Sequence, residues 1–84
     1  MQYRPFGTTG FQVSVLGFGA MRLPLRGPEA GDIDEPQVVR MIRTAIDAGV
    51  NYVDTAYGYH DGRSEVVVGQ ALRDGYRHRI KLAT

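Results

Sequence analysis

An aspartate and a tyrosine five residues apart, Asp54 and Tyr59, are the side chains of this sequence best suited to chemistry on a bound molecule. They stand in the stretch Asp54-Thr55-Ala56-Tyr57-Gly58-Tyr59-His60-Asp61-Gly62-Arg63-Ser64-Glu65. The residues before it, Val50-Asn51-Tyr52-Val53-Asp54, read as a short buried strand, which puts the Asp54 carboxylate at a strand's C-terminal end. In parallel α/β proteins, ligands and catalytic groups collect there. An ionised carboxylate so placed needs a partner cation or several hydrogen-bond donors. Tyr59 belongs to the loop above the same end. A phenol can give its proton to a developing alkoxide, but its pKa of about 10 in water usually has to be lowered by a neighbouring cation. On residue types alone, an aspartate that caps the loop and a tyrosine that packs on it explain the pattern equally well. Both readings stand.

A second candidate is Gly17-Phe18-Gly19-Ala20-Met21-Arg22. Its two glycines have dinucleotide-fingerprint spacing, yet Arg22 occupies the place of the third glycine. Leu23-Pro24 then prevents a helix from opening, and a phosphate-cradling turn needs that helix N-terminus. Two readings remain: small residues that let the chain leave a crowded strand end, or backbone that a ligand approaches closely. His60, Asp61 and Glu65 match no helix-borne metal motif, so no metal site is expected. Tyr52 and Tyr57 read as packing residues, with Tyr57 also able to touch a substrate.

The elements that must carry these groups follow from pattern. Tyr3 to Phe6, the turn Gly7-Thr8-Thr9-Gly10 and the return Phe11-Gln12-Val13 predict a β-hairpin, with Pro5 suited to an edge strand. Val13 to Phe18 predicts a buried strand. Residues 23 to 34 form a Pro- and Gly-interrupted loop, a possible substrate rim or a plain linker. A helix follows, with Asp34 as N-cap, Gln37 completing a capping box, Pro36 in the first turn and Gly49 as terminator. Its stripe is Val38, Ile42, Ala45 and Ile46. Ser64 is expected to cap a second helix with inner face Val67, Val68, Ala71 and Leu72, stopped near Gly75. A third strand covers Ile80 to Thr84. The fold class is thus α/β, a hairpin followed by β-α-β-α-β with parallel pairing and right-handed crossovers. That order begins either a doubly wound sheet or a (β/α)8 barrel.

The chain has 84 residues, and a barrel needs roughly 250, so residues 1-84 are expected to be the N-terminal fragment of one larger domain. Hydrophobic residues make up 43% and charged residues 23%, which argues against disorder. A net charge of +1 gives no reason to expect nucleic acid or an anionic membrane as partner. Arg73, Arg77, Arg79 and Lys81 read as a solvated basic face. There is no cysteine and hence no disulfide or thiolate, which suits a cytoplasmic location.

The stretches RPFGTTGFQVSVLGFGAMRLP, AIDAGVNYVDTAYGYHDGRSE and RIKLAT together resemble the aldo-keto reductase family, over essentially the whole chain and in the family's element order. The most specific match is Asp-Thr-Ala with a tyrosine five residues after the aspartate and Ser-Glu opening the next helix. Ala-Tyr-x-Tyr-His further resembles bacterial and archaeal members with a ferredoxin-like extension; an iron–sulfur cluster would belong to such a C-terminal extension, outside this chain. The resemblance implies a (β/α)8 barrel that reduces small-molecule aldehydes or ketones with NADPH, or NADH, without metal. It implies Asp54 and Tyr59 as catalytic residues, Tyr59 being the general acid. Gly19, Ala20 and Met21 would line the nicotinamide side of the cofactor, with Asp54 near its ribose, while Arg22 could touch cofactor or substrate. The family's lysine follows the third strand's Ala-Thr, directly after Thr84, and its histidine lies further on. Lys81 and His60 match neither.

Hydride delivery to a carbonyl carbon builds negative charge on oxygen, which a nearby O–H can neutralise. The isolated chain is expected to be inactive, exposing a raw sheet edge and apolar helix faces. The alternative is a cofactor-binding regulatory subunit of the same fold without turnover.

Overall fold

The computed structural model describes all 84 residues. Strands β1 (Tyr3–Pro5) and β2 (Gln12–Ser14) pair antiparallel as the expected hairpin. Strands β3 (Phe18–Gly19), β4 (Tyr52–Asp54) and β5 (Lys81–Ala83) form a separate parallel sheet in the order β3-β4-β5. Helix α1 (Glu35–Asp47) connects β3 to β4, and α2 (Arg63–Ala71) connects β4 to β5. No helix is long and apolar enough to cross a membrane.

The helices and one face of the sheet enclose the core. Val38, Ile42 and Ile46 of α1 meet Val67, Val68 and Ala71 of α2 over Val53, with Leu72, Ile80 and Leu23 at the margins. Ala45 is only half-buried, so the working stripe of α1 is narrower than its sequence suggests. Because strand side chains alternate, burying Val53 under the helices turns Tyr52 and Asp54 to the opposite face. The hairpin lies at the Tyr52 end of that face, where Phe6 stacks on Tyr52 with ring centroids 5.7 Å apart. Asn51 latches it: its Oδ1 accepts from Ser14 N–H at 2.8 Å, its own N–H donates to Ser14 Oγ, and its Nδ2 donates to Gln12 carbonyl.

Three expectations are corrected. Val13 to Phe18 is not one buried strand: β2 ends at Ser14, and Val15 and Leu16 bend through solvent with more than half their surface exposed. The chain needs that bend to leave the antiparallel hairpin and enter the parallel sheet. Asp34 occupies the N-cap position of α1, but neither it nor Gln37 caps the helix through its side chain; the Asp34 carboxylate pairs with Arg26 at 3.3 Å instead. Ser64 lies inside α2, whose N-cap is Gly62. At the far end of α1, Gly49 has φ +111°, and a Cβ there would stand 2.9 Å from Tyr3 Oη, so the terminator must be glycine.

The C-terminus of α2 is closed by a residue the sequence did not mark. Arg43 of α1 donates to the carbonyls of Ala71, Gln70 and Arg73, groups a helix end leaves unpaired, and pairs with Asp74. Tyr76 lies between Arg43 and Arg79, and Arg79 pairs with Asp47, so part of the basic end is structural. In the intact domain, Ile42→Ala is expected to cost about 2–5 kcal/mol of stability. Met41→Ala on the outer face should change it by about 0.5 kcal/mol or less. Denaturant melts of the two variants check the difference.

Candidate functional site

Register brings the candidate residues to one level. Gly19, Asp54 and Ala83 are partners across β3, β4 and β5, all at the strands' C-terminal ends. The backbone continues this alignment beyond the strands: Ala20 N–H donates to Asp54 carbonyl at 2.8 Å, and Thr55 N–H to Ala83 carbonyl at 2.8 Å. The Asp54 side chain is exposed and takes part in none of the four ion pairs. Tyr59 is half-buried at the start of a 3-10 turn (Tyr59–Gly62), its N–H bonded to Ala56 carbonyl. Tyr57 is 85% exposed, contrary to the packing reading.

On the neighbouring strand end, Gly19 is exposed, and a Cβ there would meet nothing within 4 Å. No crowding within the chain calls for glycine at this point. Met21 and Arg22 are exposed beside it. Ala20 between them is fully buried, with its N–H given to Asp54 and its carbonyl accepting from Ser64 Oγ at 2.9 Å. No helix opens after Gly19 until Glu35, so the phosphate-cradling alternative for Gly17–Arg22 has no helix N-terminus to use.

Ser64 is the residue whose role the sequence misassigned. Its side chain is wholly buried and bonds to Thr55 Oγ1 at 2.7 Å as well as to Ala20 carbonyl. Since the single Ser64 proton goes to the carbonyl, Thr55 is the donor between the two hydroxyls. The relay joins the end of β3, the end of β4 and the first turn of α2. Its sequence signal is the pair of small hydroxyl residues flanking the Tyr-Gly-rich loop, which looks like capping chemistry until the contacts are known.

The helix N-termini are also tied. Arg63 donates to Glu35 at 2.5 Å, placing an acidic group in the first turn of α1 and neutralising a cation in the first turn of α2. This hydrogen bond holds the Glu35 carboxyl below the usual glutamate range. His60 has φ +53°, and both ring nitrogens are taken, by Leu23 N–H at 2.9 Å and Ala30 carbonyl at 2.7 Å. Thr84 at the end of β5 donates to Glu65. The Leu23–Asp34 loop is ordered, closed on itself by a Leu25–Ile33 bridge and by Arg26 N–H to Asp32 carbonyl.

A family model described as Aldo/keto reductase family matches residues 15–84. An aldo-keto reductase of Bacillus subtilis is 36% identical over 85 residues, covering 100% of this chain and 25% of the relative. The NADH-specific methylglyoxal reductase of Escherichia coli is 37% identical over 84 residues, covering 100% and 26%. The crystal structure of an aldo-keto reductase from Klebsiella pneumoniae in complex with NADPH superposes with a TM-score of 0.71 at 36% identity, over 86% of this chain and 24% of that one. The chain spans about a quarter of the length of the curated relatives it matches.

Two outcomes are expected from the contacts themselves. Ser64→Ala strands the buried Ala20 carbonyl and should lower stability by about 1–3 kcal/mol, read as a shifted denaturant midpoint at unchanged slope. Glu35→Gln should cost about 0.2–1 kcal/mol at pH 7, since the pair is partly solvated. Because the native carboxyl is lowered, this contribution is present above the unfolded glutamate value of about 4.3 and lost as pH falls through the lower native one. Wild type and variant should therefore draw together in melts as pH is taken below the ordinary glutamate range.

Proposed function

The chain belongs to the aldo/keto reductase family and forms the first portion of its (β/α)8 barrel, and on that premise we propose that residues 1–84 are the N-terminal part of a nicotinamide-dependent carbonyl reductase. The observation that carries the reading is the register of Gly19, Asp54 and Ala83, which sets an open strand end, an unpaired carboxylate and the exit of β5 side by side. NADPH is the proposed cofactor, with NADH as the alternative. The residues present fit such a group: Gly19 leaves room for it, exposed Met21 flanks that room, buried Ala20 fixes the two, and the Asp54 carboxylate is available to a ribose hydroxyl. A bound nicotinamide supplies the hydride to the carbonyl carbon.

The chain's own part is the proton. The Tyr59 hydroxyl donates to the carbonyl oxygen as charge develops there, and the phenolate left behind needs a cation beside it. In the longer protein, a lysine following Thr84 would leave β5 next to Asp54, whose carboxylate would hold that ammonium near Tyr59. Asp54 thus acts through the lysine, and Tyr59 acts on the substrate. The substrate is a small aldehyde or ketone.

In the longer protein, Tyr59→Phe is expected to lower kcat by about 10²–10⁴ while cofactor affinity, followed by quenching of protein fluorescence, stays within twofold. Asp54→Asn should lower kcat by a smaller factor. Undiminished turnover in Tyr59→Phe would remove Tyr59 as the proton donor. Cofactor binding by a wild-type protein that reduces no carbonyl would point instead to a regulatory subunit of the same fold.

A further inference from the structure

Two loops stand at the C-terminal ends of β3 and β4, residues 23–34 and residues 55–62, and one side chain fastens them together. The His60 ring accepts from Leu23 N–H at Nε2 and donates from Nδ1 to Ala30 carbonyl. An amide can only donate and a carbonyl can only accept, so this pair of bonds specifies a neutral imidazole with its proton on Nδ1. Leu23 and Ile33 anchor the base of the first loop in the core, while Arg26 and Pro28 to Ala30 at its tip are exposed. The loop's remaining hydrogen bonds are internal: Arg26 N–H to Asp32, Asp32 N–H to Glu29, Asp34 N–H to Pro24, and Glu29 N–H to the Asp32 carboxylate. They close the loop on itself, and beyond it only the Asp34 carbonyl is engaged, by Val38 N–H where α1 begins. The hydrogen bond that ties the tip to the rest of the chain is the one from His60 to Ala30, beside which Gly31 passes close to Arg63.

The backbone at His60 is bent to make this reach possible. His60 and Asp61 both have left-handed dihedrals, φ +53° and +54°, and Gly62 follows at φ +86°. Non-glycine residues adopt that region rarely, and two in succession persist only where surrounding contacts specify them. The bend begins at the residue after Tyr59 and aims the ring toward residues 23–34.

We propose that His60 is a positioning residue: its neutral ring staples the tip of the Leu23–Asp34 loop to the Tyr59 loop and makes it a fixed wall of the carbonyl pocket. This rests on the reductase reading of Tyr59, because the wall stands beside the proposed proton donor. The wall contacts substrate before any proton moves, so loosening it weakens substrate capture and leaves the chemical step and the cofactor site intact.

The test uses the full-length protein, with 4-nitrobenzaldehyde as the carbonyl probe. His60→Gly suits the left-handed backbone and removes both bonds. His60→Asn also tolerates that backbone and carries its amide nitrogen to the position of Nδ1, where it can donate to Ala30 carbonyl, the bond that reaches the tip. For His60→Gly we expect KM for the aldehyde to rise at least fivefold, with kcat and cofactor affinity within twofold. Hydrogen exchange over residues 23–34 should accelerate in the same variant. His60→Asn should recover most of both effects. Wild-type KM and exchange in His60→Gly would overturn the proposal, as would equal losses in both variants accompanied by a lower Tm and weaker cofactor binding. Accelerated exchange in a protein that turns over no carbonyl would sink the reductase reading and leave the staple standing.

Discussion

A buried hydroxyl cannot be left without a partner, and that constraint organises the site end of this chain. Ser64 and Thr55 are both buried where three backbone segments converge, and they satisfy each other and the Ala20 carbonyl in one relay. Because Ala20 also donates to the Asp54 carbonyl, the ends of β3 and β4 are fixed relative to each other and to the first turn of α2. The Tyr59 loop is strung between Thr55 and Ser64, so both of its ends are set by the same pair of hydroxyls. Helix packing supplies the larger stabilisation. The relay supplies the alignment.

Charge is distributed to the same effect. Glu35, Asp34, Asp47 and Asp74 each have an arginine partner, and these pairs lie at helix ends and loop bases. Arg43 spends its guanidinium on the carbonyls that end α2, and Arg63 joins the two helix N-termini. Asp54 stands outside this network. A carboxylate left over from structural pairing, at the C-terminal end of a central parallel strand, is available to a cation or ligand from elsewhere.

The period of the apolar residues made the larger elements legible. Strict helical spacing marked α1, short apolar runs ending in Asp54 and after Ile80 marked β4 and β5, and two glycines around two threonines marked the hairpin. What stayed hidden were contacts between a side chain and a distant backbone group. Arg43 and Ala71, His60 and Leu23, Ser64 and Ala20 are far apart in sequence, and no local pattern encodes such pairs. The same limit explains the caps: Asp34 and Ser64 have the right types at helix starts, but their side chains are engaged elsewhere, with Arg26 and with Ala20 carbonyl. Val15 and Leu16 misled because β-branched and apolar residues before a glycine suit a strand, while the chain needed an exposed corner between two sheets. The positions of Asp54 and Tyr59 on a strand end and its loop were readable. Their surroundings were not.

Strand β4 is only three residues long, and this has a consequence for depth. Tyr52 and Asp54 project from the same face about 7 Å apart along the strand, at 3.3 Å per residue. Below the first sits the aromatic stack with Phe6; at the second the carboxylate meets solvent. The hairpin is thus the floor of a shallow vessel whose open, carboxylate-bearing lip lies only two residues above it. The same short strand therefore carries both the aromatic contact that seats the hairpin and the exposed carboxylate.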